Sequence, residues 1–213
     1  MLTSPPSIAV AIRNRATAGR NARVWTPDDF ADLGSRTAVD QALHRLVASG
    51  KLRRIAHGLY DVPGTNRLLG KPTSPDPRAV IDALARKNNV RVLVDGITAA
   101  NDLGLTNAVP ARITVLTDAR LRPVTLGKLT IEFRYAAPSR LYWAGRSAMR
   151  FVQALDWLRD MLPSDDGQLR RLLLSILRDP QHGKAICDDL GTNLSALQGW
   201  MREIVRDLLQ ESG

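Results

Sequence analysis

Between residues 26 and 62 the chain is punctuated so closely that few backbone paths satisfy it. Thr26-Pro27-Asp28-Asp29 supplies a capping hydroxyl, a proline suited to the first helical position, and two carboxylates near the positive end of a helix dipole. A short helix to residue 33 is predicted, broken by Gly34. Ser35 then caps a second helix over 36–49, and Gly50 follows where the backbone must tolerate positive φ. Two strand-like runs, 51–55 and 59–62, flank Ala56-His57-Gly58, a turn with glycine where a hairpin wants it. Helix, tight turn, helix and hairpin in that order predict a winged helix-turn-helix.

The second helix carries the functional reading. At about 100° per residue, Val39, Ala42, Leu43 and Leu46 gather on one side, and Arg36, Thr37, Asp40, Gln41 and His44 on the other. A recognition helix needs that division, because one face locks onto its own core while donors and acceptors reach base edges in the major groove. Arg36 suits guanine and Gln41 adenine; Thr37 bonds a base or a phosphate, with Ser35 beside it at the helix start. Asp40 either accepts from cytosine or orients Arg36 or His44. Arg53, Arg54 and His57 on the hairpin are placed for backbone or minor-groove contact, and Arg45 and Lys51 for phosphates.

Charge supports an anionic partner. The net charge is +9, and its excess lies early: residues 1–62 carry nine basic and five acidic side chains, 63–140 twelve and six, and 141–213 nine and ten. The single cysteine, Cys187, excludes an internal disulfide and fits a reducing cytoplasm. Ile8 to Ile12 are too few for a secretory core, and no apolar run approaches the roughly 20 residues that span a bilayer. A cytoplasmic protein without membrane contact is expected.

Ahead of the punctuated stretch, Ser4-Pro5-Pro6 precedes a helix over 7–18 whose core face is Ile8, Ile12 and Ala16, with Arg13, Arg15, Arg20 and Arg23 nearby. Val24-Trp25 reads as an extended piece able to pair with the hairpin, Trp25 anchoring the small core. The turn-rich segment 63–77, including Asn66 and Pro63, Pro72, Pro75 and Pro77, is the expected linker between a domain over 1–62 and one over 78–213. Gly64 to Lys71 is no phosphate loop, because the glycine spacing is wrong and Pro72 follows. The second domain is predicted to hold helices over 78–87 and 96–103 and strands over 90–94, 112–116, 123–126 and 129–135, the last two joined by Gly127-Lys128. Ile131, Phe133 and Tyr135 should face inward. A helical part over 146–211 follows, with Leu169, Leu172, Leu173 and Ile176 on one core face and Trp143, Trp157 and Trp200 in its core. The fold class is therefore α+β: a winged helix-turn-helix, then a mixed α/β domain with a small sheet to about residue 140 and a helical C-terminal part.

Several blocks in order resemble the AbiEi-type antitoxins of bacterial toxin-antitoxin, or abortive infection, systems. They are Leu33-Gly34-Ser35-Arg36, Val39-Asp40-Gln41-Ala42-Leu43, Arg53-Arg54-Ile55 and Gly58-Leu59-Tyr60-Asp61, followed by 74–80, 99–106, Val109-Pro110-Ala111 and Val115-Leu116-Thr117-Asp118. The resemblance, over about residues 4–140, implies a winged domain that represses its own operon by binding promoter DNA. It also implies a second domain that counteracts a nucleotidyltransferase-like toxin, directly or without a stable complex. The DNA contacts it implies fall on Ser35, Arg36, Thr37, Gln41 and the wing from Arg53 to Tyr60. For the toxin, local charge singles out Arg112, Arg120, Arg122 and Arg134.

Enzymatic chemistry finds little footing in the residues. His182 and Cys187 sit about 140° apart on a helix, and His44 and His57 lack a third ligand at metal spacing. An enzyme would need Asp95, Asp102 and Asp118 to converge on a metal ion. The expectation is no catalytic residue, no metal and no cofactor. The alternative kept beside DNA recognition is a winged module that binds the toxin itself.

Overall fold

The computed structural model describes residues 7–18, 23–65, 70–108 and 110–212. Ser4, Pro5, Pro6, Arg20, Asn66 and Val109 lie outside them. The chain is α+β and divides by packing into two units, residues 1–90 with 124–128, and residues 91–123 with 129–213.

In the first unit, α1 (Ile8–Ala18) is followed by a 3-10 helix (Pro27–Leu33), α2 (Arg36–Ala48), β1 (Arg53–Ala56), β2 (Leu59–Asp61) and α3 (Pro77–Asn88). The short helix expected to residue 33 is thus a 3-10 helix. Three residues per turn put Pro27 and Phe30 in one row, and both are buried. Its start is held less by the Thr26 hydroxyl accepting than by Asp29 accepting: the Thr26 N–H donates to Asp29 Oδ2 at 2.7 Å and the hydroxyl donates to the same oxygen at 3.0 Å. Helix α2 is capped as its sequence requires. Ser35 Oγ accepts from the Ala38 N–H at 3.3 Å, and Gly50 takes φ 68° beyond the C-terminus.

Strand β1 begins at Arg53, later than the expected residue 51. The Lys51 and Leu52 amides instead donate to the Leu46 carbonyl, at 2.9 and 3.1 Å, and finish the helix. The β1/β2 ladder pairs Arg53 with Asp61 and Ala56 with Leu59, with an irregularity between Arg54 and Ala56. Trp25 pairs with Tyr60 through both backbone bonds, its N–H donating at 2.7 Å and its carbonyl accepting at 2.9 Å. The ring of Trp25 stacks on Phe30 at 5.3 Å, within a core that also holds Ile12, Val39, Leu43 and Leu52.

Helix α3 starts at Asp76, whose carboxylate accepts from the Arg78 N–H at 3.0 Å, and ends at left-handed Asn89, φ 50°. Its last turn grips the winged fold: Arg86 donates to the Val24 carbonyl and Lys87 Nζ to the His57 carbonyl, each at 3.0 Å. Packing therefore groups α3 with the first unit, whereas the sequence reading ended the linker before it.

The second unit contains β3 (Val92–Val94), α4 (Gly96–Asp102), β4 (Arg112–Thr117) and β6 (Leu129–Tyr135), whereas β5 (Val124–Leu126) is grouped with the first unit. Within the second unit the strands run β3-β4-β6, β3 antiparallel and β6 parallel to β4. In β4, Ile113, Val115 and Thr117 are buried and Arg112 is exposed, as period-two alternation requires. Tyr135 departs from the expected alternation: it is 65% exposed, although its ladder partner Thr117 is buried.

Helices α5 (Met149–Trp157), α6 (Gln168–Leu177), α7 (Gly183–Thr192) and α8 (Gly199–Ser212) complete the unit. Helix α6 buries Leu173, Leu174 and Leu177 rather than Leu169, Leu172 and Ile176, because it packs against both α7 and α8. Of the three tryptophans only Trp143 is buried; Trp200 sits half-buried with the Arg159 guanidinium 5.3 Å over its ring. No helix among the described residues is long and apolar enough to cross a membrane.

Gly96 sets the contact between α4 and α5. A Cβ there would stand 2.7 Å from the Gln153 carbonyl oxygen, which is backbone and has little room to give. Gly96→Ala is expected to lower stability by about 1–3 kcal/mol in denaturant unfolding, the range for overpacking a close contact; an unchanged midpoint would show that the helices separate freely.

Candidate nucleic-acid interface

The outward side of α2 is assembled as the sequence pattern requires. Arg36, Thr37, Asp40, Gln41, His44 and Arg45 are all exposed, while Val39, Ala42, Leu43 and Leu46 fix the opposite side in the core. Ser35, also exposed, is committed to its cap. Thr37, Gln41 and His44 make no side-chain hydrogen bond within the described residues, so their donors and acceptors remain available.

Arg36 is not loose. Its Nε donates to Asp40 at 3.1 Å and its Nη1 to Asp28 at 2.8 Å, and the bond to Asp40, above all, raises the guanidinium pKa further. Asp40 thus orients Arg36, one of the roles its sequence position allowed. Asp28 was not foreseen. All three side chains are about half exposed or more, at 61%, 49% and 59% for Arg36, Asp40 and Asp28, so solvent screens the cluster and exchange for a base edge is cheap.

On the hairpin the two arginines separate. Arg53 turns inward: its Nε donates to Asp61 at 2.9 Å and its Nη1 to the Thr73 carbonyl at 2.6 Å, with the pair only 27% and 11% exposed. Arg53, expected at the backbone or minor groove, thus also has a structural role, tying β2 to the segment at Thr73. Arg54 faces out and lies 3.1 Å from His57 Nδ1, both exposed near the turn where Gly58 takes φ 68°. Lys51 is exposed between helix and hairpin.

Ion pairing decides which cations are left. Asp28 and Asp40 engage Arg36, Asp29 engages Arg23 and Arg86, Asp32 engages Arg15, and Asp61 engages Arg53. Every carboxylate of residues 1–62 thereby has an arginine partner, with Asp28 and Asp40 sharing Arg36. Arg45 on α2, Lys51 just beyond its end, Arg54 on the hairpin and Arg13 on α1 have no carboxylate partner among the described residues.

The aspartates that an enzyme reading would bring together have separate duties. Asp95 caps α4, accepting from Thr98 N–H at 2.9 Å, and also accepts from Thr114 N–H at 2.6 Å. Asp102 pairs with Arg150 at 2.9 Å. Asp118 takes both the backbone N–H and the Nε of Arg91, each at 2.9 Å, and the hydrogen bond from Arg91 holds its carboxyl below the usual range. No group of three or more His, Cys, Asp or Glu side chains is arranged to hold a metal among the described residues.

The split between the two hairpin arginines is open to measurement. Arg53→Ala leaves Asp61 with a lost charged partner and is expected to destabilise the chain by about 1–3 kcal/mol. Arg54→Ala should leave the unfolding midpoint unchanged. Equal unfolding midpoints for the two variants would contradict their assignment to different roles.

Comparison with curated proteins yields no match. A family model described as a family of unknown function (DUF6088) matches residues 11–178, from α1 to the end of α6 and so across both packing units. The chain belongs to that family.

Proposed function

We propose that this protein is an operator-binding repressor of the antitoxin class, its winged unit reading double-stranded promoter DNA and its second unit counteracting a nucleotidyltransferase-like toxin from the same operon. The observation that carries the DNA half is the exposed face of α2. It presents a threonine, a glutamine and a histidine with no side-chain hydrogen bond among the described residues, together with Arg45 on the same helix, and Lys51 and Arg54 follow in the chain without a carboxylate partner among those residues. Gln41 has the two-sided amide that matches adenine, and Arg36 reaches guanine by exchanging Asp28 or Asp40 for the base edge. Arg45, Lys51 and Arg54 hold phosphates and supply the salt-dependent, sequence-independent part of the affinity. Arg53 is assigned to the fold, not to DNA.

The toxin half follows from the resemblance of residues 33–61 and 74–118 to AbiEi-type antitoxins. The family match across both units supports treating them as one functional chain. In this reading the protein acts in the cytoplasm as part of a phage-defence operon, without a catalytic group, metal or cofactor of its own.

Fluorescence anisotropy on the upstream duplex and on a shuffled duplex, across a salt series, tests the proposal. Loss of any one of Arg45, Lys51 or Arg54 should weaken both duplexes alike and reduce the salt slope by about one. Gln41→Ala should cost about 1–3 kcal/mol on the native site alone and relax the choice at one base pair. The same variant combined with Thr37→Ala should still rescue cells from the toxin. If promoter binding survives in the double variant while rescue fails, α2 is a toxin-binding surface and the proposal is wrong.

A further inference from the structure

The second unit encloses a cleft of about 340 Å³ at the meeting point of three helix ends. Asp102 and Leu103 come from the end of α4, Ser147, Arg150 and Phe151 from around the start of α5, and His182 and Ile186 from around the start of α7. Gly96, at the far end of α4, lets that helix run against α5, and at Gly183 a Cβ would collide with the Leu177 carbonyl, so α7 can begin beside the end of α6 only without a side chain. The volume lies in the range of small-molecule sites, roughly 300–1,000 Å³.

The polar lining has a definite chemistry. Asp102, its side chain 6% exposed, accepts from Arg150 Nε at 2.9 Å and fixes the guanidinium plane. Because that bond is made through Nε, the paired Nη1 and Nη2 atoms remain as the parallel donors that suit a carboxylate or phosphate. Ser147 adds an exposed hydroxyl and His182 an exposed imidazole. Leu103 and Ile186 form a small apolar wall, with Phe151 buried behind it. Asp102 offsets the charge of Arg150, so the cleft selects an oxyanion by hydrogen-bond geometry rather than by net charge. The apolar wall calls for an organic body on that anion.

We infer that this cleft binds a small organic oxyanion, a carboxylate or a phosphate monoester on a short apolar body. The oxyanion sits on the Arg150 fork with Ser147 and His182, and the body lies against Leu103 and Ile186. These residues take a ligand role that neither the DNA contacts nor the toxin contacts named above include.

The test is NMR titration of the full chain with benzoate, phenyl phosphate, inorganic phosphate and neutral benzyl alcohol, observed at the Ile186 methyl and the His182 ring. Saturable shifts with benzoate or phenyl phosphate are expected, the tighter of the two naming the oxyanion class, with inorganic phosphate and benzyl alcohol at least about tenfold weaker. Arg150→Lys keeps a charge beside Asp102 but loses the fork, and His182→Gln changes an exposed residue, so both should fold as the parent does. Each should weaken the organic anion by about tenfold. Shifts that never saturate, equal binding of benzyl alcohol, or an unchanged Kd in both variants would overturn the inference.

Discussion

The two hydrogen bonds between Trp25 and Tyr60 are what make the first unit a winged fold rather than a helix pair beside a loose hairpin. They add a strand residue from ahead of the 3-10 helix to the edge of β2, so the hairpin is fixed to the chain on both sides of α2. The Trp25 ring, stacked on Phe30 in the core, ties that backbone bridge to burial, and an unmade bridge would strand buried backbone polar groups. Arg86 and Lys87 of α3 then add side-chain bonds to carbonyls at Val24 and His57, one on each side of the bridge. The position of Arg54 and His57 relative to the outer face of α2 follows from these contacts.

Within that frame, charge is sorted by pairing rather than by sequence position. Five aspartates in residues 1–62 take up Arg15, Arg23, Arg36 and Arg53, in ion pairs that orient side chains more than they stabilise the fold, since most are exposed. The modest positive excess of the segment is thereby concentrated on a few side chains. Arg45 on α2, Lys51 after it and Arg54 on the hairpin are among them, as is Arg13 on α1. Three of these cations fall in the helix-hairpin segment, which suits that segment to a phosphate backbone.

What could be read from the sequence was whatever local rules fix. The cap at Ser35, the stop at Gly50, the two faces of α2 and the hairpin around Gly58 depend on neighbours within a few residues, and they appear in the structure where the pattern puts them. The i,i+4 link from Arg36 to Asp40 was legible for the same reason; the link to Asp28 was not, since it depends on how the 3-10 helix meets α2. Arg53 and Arg54 look alike in sequence. Only the ladder, which sets Arg53 opposite Asp61, and the approach of the Thr73 carbonyl from the linker separate them. The buried side of α6, the exposure of Tyr135 and the cleft at three helix ends depend on contacts between distant segments, and periodicity carries no information about which neighbours a face will meet.

The central claim is that α2 and the hairpin together form the surface that meets DNA. Amide NMR of the labelled full chain, titrated with its upstream duplex, tests it most directly. The account predicts that the largest shifts fall at Thr37, Gln41, His44, Lys51, Arg54 and His57, with Arg53 and the buried face of α2 little changed. Shifts centred instead on Arg112, Arg134 and Tyr135 of the sheet, with α2 unmoved, would contradict it.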